Sequence, residues 1–374
     1  MGEYHIKEVK GRATRRLFHR VPLLIYENDD NFIPHLEEDI EAVFNKRLNI
    51  ALQNGDTKRW VILDEDNVPA GRIAAFHYTS LDGKHIGGAG FFESIDDLNV
   101  ARMLFETAEG YLKSQGIANM QAPVNCGERD RFWGLLVDGF ESPSYLQNYN
   151  APYYKNLFEQ CGYSKDFEQH YYAVRPEGFP DERFARIAER QLKQKEISVK
   201  HCTFDTAGEF IEAVTEVYNK AWHEQEFYKP LTVESATSMF NALKLVIEPE
   251  LLWVAYYNNK PAGAFLALRE LNELFTDADG SLNWFDKIQI YFRRRKIPVT
   301  RIQSFMFGIV PEHRHIGIDA ILINSMFQTM KKYPQLEFME LAWIGDFNAG
   351  MMKLMKQIGA RPFKTLYTYK KSIR

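Results

Sequence analysis

Apolar positions along the chain follow two different spacings. Stretches 36–52, 100–116, 207–222 and 319–333 repeat them three and four residues apart, which predicts amphipathic helices. Short apolar runs at 85–92, 118–124, 302–310 and 337–344 are bounded by turn residues and predict strands. Two further stretches, RWVILDEDNVPAG (59–71) and LWVAYYNNKPAG (252–263), each read as a strand, a polar turn and the start of a return strand.

These elements come in the same order twice. The matching glycines of the two hairpins, Gly71 and Gly263, lie 192 residues apart. LFEQCGY (157–163) and LMKQIGA (354–360) repeat at an offset of 197, each a helix end with a glycine suited to a left-handed cap. The chain therefore predicts an α/β fold of two copies of one unit, each a mixed sheet flanked by helices. A helical segment leads each unit and a helix and strand close it. The Pro- and Gly-containing start of 175–198 and its charged continuation suggest a connector. The expected organisation is a first unit at 1–180, a connector helix at 181–198 and a second unit at 199–374.

Composition narrows the function classes. A net charge of −4 over 374 residues argues against a general nucleic-acid binder, and no DNA partner is expected. The three cysteines, Cys126, Cys161 and Cys202, form no CxxC pair, so neither a zinc site nor a disulfide framework is expected. No run of 18 apolar residues occurs, and the first residues lack a signal-peptide core. The expectation is a cytoplasmic protein without stable membrane insertion.

The candidate chemistry sits in PEHRHIGIDAIL (311–322). Pro311 ends the preceding strand, Gly317 permits a tight turn, and a helix starts near Ile318 or Asp319. Free amides at a helix start beside Arg314, His313 and His315 suit a pyrophosphate. An ordinary strand-to-helix turn with a basic surface is the other reading.

The order of elements, together with Arg314-His315-Ile316-Gly317-Ile318-Asp319, resembles the GCN5-related N-acetyltransferase (GNAT) superfamily, whose cofactor loop reads Gln/Arg-x-x-Gly-x-Gly/Ala. Asp319 departs from that pattern. The second unit carries the resemblance more fully than the first. The resemblance implies acyl transfer to a primary amine from acetyl-CoA or another acyl-CoA, with no metal. It implies that backbone groups of Phe307 and Ile309 hold the pantetheine arm between splayed strands, that loop amides from His315 to Asp319 hold the pyrophosphate, and that Asn348 contacts the arm. Asn348 also reads as a helix cap. The family's acidic Tyr, seven residues after that Asn, falls on Met355 here and on Phe158 in the first unit. Tyr367 and Tyr369 are the nearest substitutes by sequence, although burial as ordinary sheet aromatics is the favoured reading. Glu340 and Asp346 are the candidate bases, and Glu340 also reads as a solvent-facing residue. Trp222, Glu226 and Tyr228, in YNKAWHEQEFYKPLT (218–232), suit a small amine or amino-acid-like acceptor; a helix end with solvated charges is the alternative.

The first unit has no RxxG. Asp96 and Asp97 precede its helix, where carboxylates cap well and repel phosphate, so it is not expected to bind coenzyme A in the usual way. Its long excursion, 124–154, offers Asn125, Arg129, Asp130, Trp133 and Tyr149 as wall residues for the acceptor, and surface packing between the domains accounts for them equally. A second-unit insertion, 279–301, ends in Arg293-Arg294-Arg295-Lys296, which reads as a solvated helix end or an anion contact. Two alternatives to the N-acyltransferase remain: a non-catalytic acyl-CoA sensor, and a long-chain acyl or aminoacyl transferase on a related tandem fold.

Overall fold

The computed structural model describes residues 3–374 except 81–82, 128, 130, 225–227, 276–279, 282–283 and 295. Glu226, Asp130 and Arg295 thus lie outside the described residues.

The first half runs β1 (His5–Glu8), α1 (Arg12–Ile25), α2 (Glu37–Val43), β2 (Gly55–Leu63), β3 (Pro69–Thr79), β4 (His85–Ser94), α3 (Leu98–Ser114), β5 (Asn119–Ala122), β6 (Leu135–Asp138), α4 (Tyr154–Gln160) and β7 (Ser164–Val174). Helix α5 (Asp181–Leu192) follows. The second half runs β8 (Ile197–His201), α6 (Ala207–Trp222), α7 (Val233–Leu243), β9 (Leu252–Tyr257), β10 (Lys260–Arg269), α8 (Trp284–Arg293), β11 (Arg301–Ile309), α9 (Ile318–Met330), β12 (Phe338–Gly345), α10 (Ala349–Gln357) and β13 (Arg361–Ser372). Each half begins with a short strand rather than a helix. β1 and β8 are edge strands of four and five residues, too short to show a period. The predicted helix at 36–52 breaks because Asn45 and Asn49 turn the backbone: Asn49 Nδ2 bonds the carbonyls of Val43 and Cys126.

Among the described residues, thirteen strands join one sheet in the order β1-β2-β3-β4-β5-β13-β7-β12-β11-β10-β9-β8, with β6 beside β13. The two halves exchange their closing strands. β7 pairs antiparallel with β12, and β13 pairs antiparallel with β5 and with β7. Helices cover both faces. In the second half, α9 packs on one face with Leu341, Ile344, Phe265 and Ile302, and α6 packs on the other with Val254, Ala264 and Met306. Helix α5 lies on α9, where Phe179, just before it, stacks on Phe327 at 3.5 Å. Among the described residues no helix is long and apolar enough to cross a membrane.

Candidate functional site

In the second half the parallel strands β11 and β12 pair only at Arg301–Phe338, Ile302–Met339 and Gln303–Glu340. Beyond that rung they diverge. The cause is a register shift against β10 at Leu266/Ala267 that leaves Phe305 as an extra residue. At the fork the Ser304 hydroxyl accepts from the Ala342 amide at 3.2 Å. The result is a cleft between the last residues of β11, including Phe307 and Ile309, and those of β12. Phe307 and Ile309 rest, half-buried, on the α9-side core.

The loop from β11 to α9 stands at the open end of the cleft. Val310 N bonds Ala262 O and ends the ladder, residues 311–313 make a single 3-10 turn, and Gly317 is the N-cap of α9 in the left-handed region (φ 77°). Glycine adopts that conformation without steric cost. With no side-chain cap at Gly317, the amides of Ile318, Asp319 and Ala320 have no partner within the helix. Arg314 and His315 are exposed beside them, Ile316 is half-buried, and the His313 ring lies 5.0 Å from that of Tyr257. Asp319 sits in the first helical turn, where its charge opposes a phosphate. Gln191 of α5 reaches this turn; a Cβ on Gly317 would stand 3.0 Å from its Cγ.

Other candidates are spread more widely. Trp222 closes one side of the cleft: a Cβ on Gly308 would stand 2.2 Å from its ring, and Tyr218 stacks on it at 5.3 Å. Tyr228 donates to Asn219 Oδ1 at 2.9 Å. Asn348 caps α10, accepting from the Met351 amide at 3.2 Å. Asp346 is exposed at the end of β12. Met355 is buried in the α9-side core.

Glu340 is neither solvent-facing nor open to the cleft. It is 1% exposed, and its Oε2 accepts from Lys364 Nζ at 3.2 Å and Arg301 Nη2 at 3.4 Å. Both cations also bond Ser142 O from the first-half excursion. Beside them lies buried Glu270, whose Oε1 accepts from the amides of Tyr145 and Asn272. Burial pushes the Lys364 ammonium down and the Glu270 carboxyl up from their ordinary pKa values. This cluster is a buried joint between the halves.

Strand exchange moves Tyr369 away from the cleft. It pairs with Ala122, packs in the first-half core, and donates to Glu159 at 3.3 Å; burial and then Glu159 push its pKa up. The substitutes at 367 and 369 followed from chain order, and β13 crosses into the other half.

Among its described residues the first half shows no matching opening. After Gly88–Gln121 the chain stays close, with Val124 N bonding Ala89 O at 2.8 Å. A Cβ on Gly90 would stand 1.9 Å from Val124 O. Asp97 caps α3 by accepting from the Asn99 amide at 2.7 Å. A pocket of mixed polar and apolar lining remains on the α1 side, with His19, His35, Arg72, Phe91 and Glu93 among its residues. Glu93 accepts from Tyr26 and Tyr154, each at 2.8 Å, and from Arg72. Burial and then the Arg72 charge lower the His35 pKa to about 3. From the excursion, Trp133 Nε1 donates to Thr368 at 2.9 Å, Tyr149 donates to Asp29 at 2.7 Å, and Asn125 bonds Arg131 O. These bonds make it a packed joint, and Arg129 lies 5.3 Å over Phe167.

No family model matches the sequence. The chain is 24% identical over 372 residues to Protein YghO of Escherichia coli (strain K12), covering 96% of this chain and 93% of that protein. It is 22% identical over 376 residues to the bacterial ceramide synthase of Caulobacter vibrioides (strain NA1000 / CB15N), covering 98% and 96%. A solved tandem GNAT protein from the clavulanic acid biosynthesis pathway superposes with a TM-score of 0.59 at 12% identity, over 100% of this chain and 99% of that one. Duplicated units, a forked pair of parallel strands and a helix start at the fork make this chain a tandem GNAT fold.

Proposed function

We propose that the chain is an acyl-CoA-dependent N-acyltransferase whose single working cleft lies in the second half, acting on a primary amine. The observation that carries this reading is the divergence of β11 and β12 beyond Gln303–Glu340, with the glycine-capped start of α9 at its end. Acyl-CoA supplies the activated thioester. The amides of Ile318, Asp319 and Ala320, with Arg314 and His315, bind the pyrophosphate of the donor. The unpaired backbone edge at Phe307 and Ile309 orients its arm, and Asn348 stands at the opposite wall. Trp222 and Tyr228 border the acceptor side.

Amine attack forms the C–N bond and breaks the C–S bond, releasing a thiol once the thiolate takes a proton from water. The attacking ammonium must first lose a proton. Asp346 is the candidate base, because it is exposed at the cleft end of β12 whereas Glu340 is buried and held by Lys364 and Arg301. The first half, closed at Gly90 and carrying a carboxylate cap at Asp97, buttresses the site. Likeness to a bacterial ceramide synthase supports including long-chain amines and long acyl donors with acetyl-CoA. A cytoplasmic site of action agrees with a coenzyme A donor.

Thermal melting with acetyl-, palmitoyl- and free coenzyme A, followed by a thiol-release assay over an amine panel, tests the proposal. The expected result is a raised melting temperature and amine-dependent thiol release. Stabilisation without release from any donor–amine pair would instead mean a sensor, and no stabilisation would refute donor binding.

A further inference from the structure

We propose that the acceptor amine carries a long alkyl chain, and that this chain lies on an aromatic wall built by both halves: Phe167, Trp343 and Phe347. The term acceptor rests on the acyltransferase reading above.

Strand exchange creates this wall. Phe167 belongs to β7, the closing strand of the first half, yet β7 pairs with β12, which carries Trp343 and leads into Phe347. The Phe167 ring lies 6.4 Å from Trp343 and 6.1 Å from Phe347. Phe347 folds back over Gly345, where a Cβ would stand 2.3 Å from its ring, and still is 66% exposed. Phe305, the extra residue of β11, is exposed at the fork as well. Exposed rings beside a cleft are apolar area that an alkyl chain covers favourably. Arg129 bounds the wall, lying over Phe167 and, at 5.0 Å, over Trp133.

The side of the sheet assigns the chain to the acceptor. Leu341 and Ile344 enter the core under α9, the helix whose start forms the anion site. Between them β12 carries one residue more than β7, and this shift turns Trp343 toward Phe167 instead. The Trp222–Tyr218 stack belongs to the α6 side, likewise away from α9. A donor anchored at α9 therefore enters from one face and leaves the aromatic face to the other substrate. Either wall substrate would be apolar; the face decides which.

Each methylene buried on such a wall raises affinity about fourfold at most. Calorimetry with the full chain uses dodecylamine and hexylamine below their aggregation concentrations. The expected preference for dodecylamine is about 100-fold, since the six extra methylenes are only partly covered. Phe347→Ala, at an exposed position, should cut that preference at least about tenfold. Trp343→Phe, which keeps a ring, should retain most of it. Equal binding of the two amines, or an unchanged preference in Phe347→Ala, would overturn the proposal. Varying acyl-CoA length at a fixed short amine is the second arm. If Phe347→Ala alters acyl-length preference rather than amine-length preference, the wall holds the donor and the assignment fails. Chain-length-dependent amine binding without thiol release would sink the acyltransferase reading alone; thiol release without length dependence would sink the wall alone.

Discussion

Replacing Lys364 by methionine should destabilise the whole protein by about 3 kcal/mol. Its ammonium is 3% exposed and shares the Glu340 carboxylate with Arg301, while Ser142 O takes another of its protons. Methionine fills most of the volume but leaves Glu340 and Glu270 facing a single guanidinium. Breaking a buried pair costs about 3–5 kcal/mol, and Arg301, still 3.4 Å from Glu340, places this case at the low end. Unfolding entropy scales with chain length, so the melting temperature should fall by about 4 °C for a chain of 374 residues. Urea denaturation followed by tryptophan fluorescence measures the free energy directly. The decisive comparison is Glu340→Gln with Lys364→Met. If the loss comes from an uncompensated charge, the double variant recovers about 1–2 kcal/mol relative to the sum of the singles. Strict additivity would refute the electrostatic account. Because Ser142 ties the cluster to the first half, both halves should unfold in one transition.

Three further outcomes follow from the geometry. Arg314→Ala should weaken coenzyme A binding about three- to tenfold by calorimetry, a modest loss because the residue is exposed. Gly317→Ala should cost about 1–2 kcal/mol in denaturant melts, since alanine is strained at positive φ and its Cβ meets Gln191. Glu41 is held at about pKa 2: burial alone would raise it, but bonds from His19 and Arg59 overcome burial. A depressed carboxylate contributes stability above its ordinary value of 4.5, and that contribution is lost as pH falls toward 2. After discounting for partial exposure, Glu41→Gln should therefore cost about 2 kcal/mol at pH 7 and much less near pH 2.5; an equal cost at both pH values would contradict the assignment.

The glycine-capped start of α9 was legible along the chain. Pro311, Gly317 and the apolar helix after them are neighbours in sequence, so local backbone rules place them together in space. Trp222 was visible for a similar reason, at the end of a strongly periodic helix, although its position against Gly308 was not. Phe167 gave no signal, because half-buried aromatics on strands are common and its partners lie some 180 residues away.

By itself the sequence determined the duplicated α/β unit, most of its helices and strands, and the loop that starts α9. Each of these depends on side-chain periodicity, turn chemistry or caps within a few residues. Tertiary structure alone decided which half each closing strand joins. β7 and β13 present apolar faces that would suit either sheet, and backbone ladders are indifferent to sequence distance. That choice carried Tyr369 into the first-half core, brought Lys364 to Glu340, and set Phe167 beside Trp343. The second half is consequently built from both.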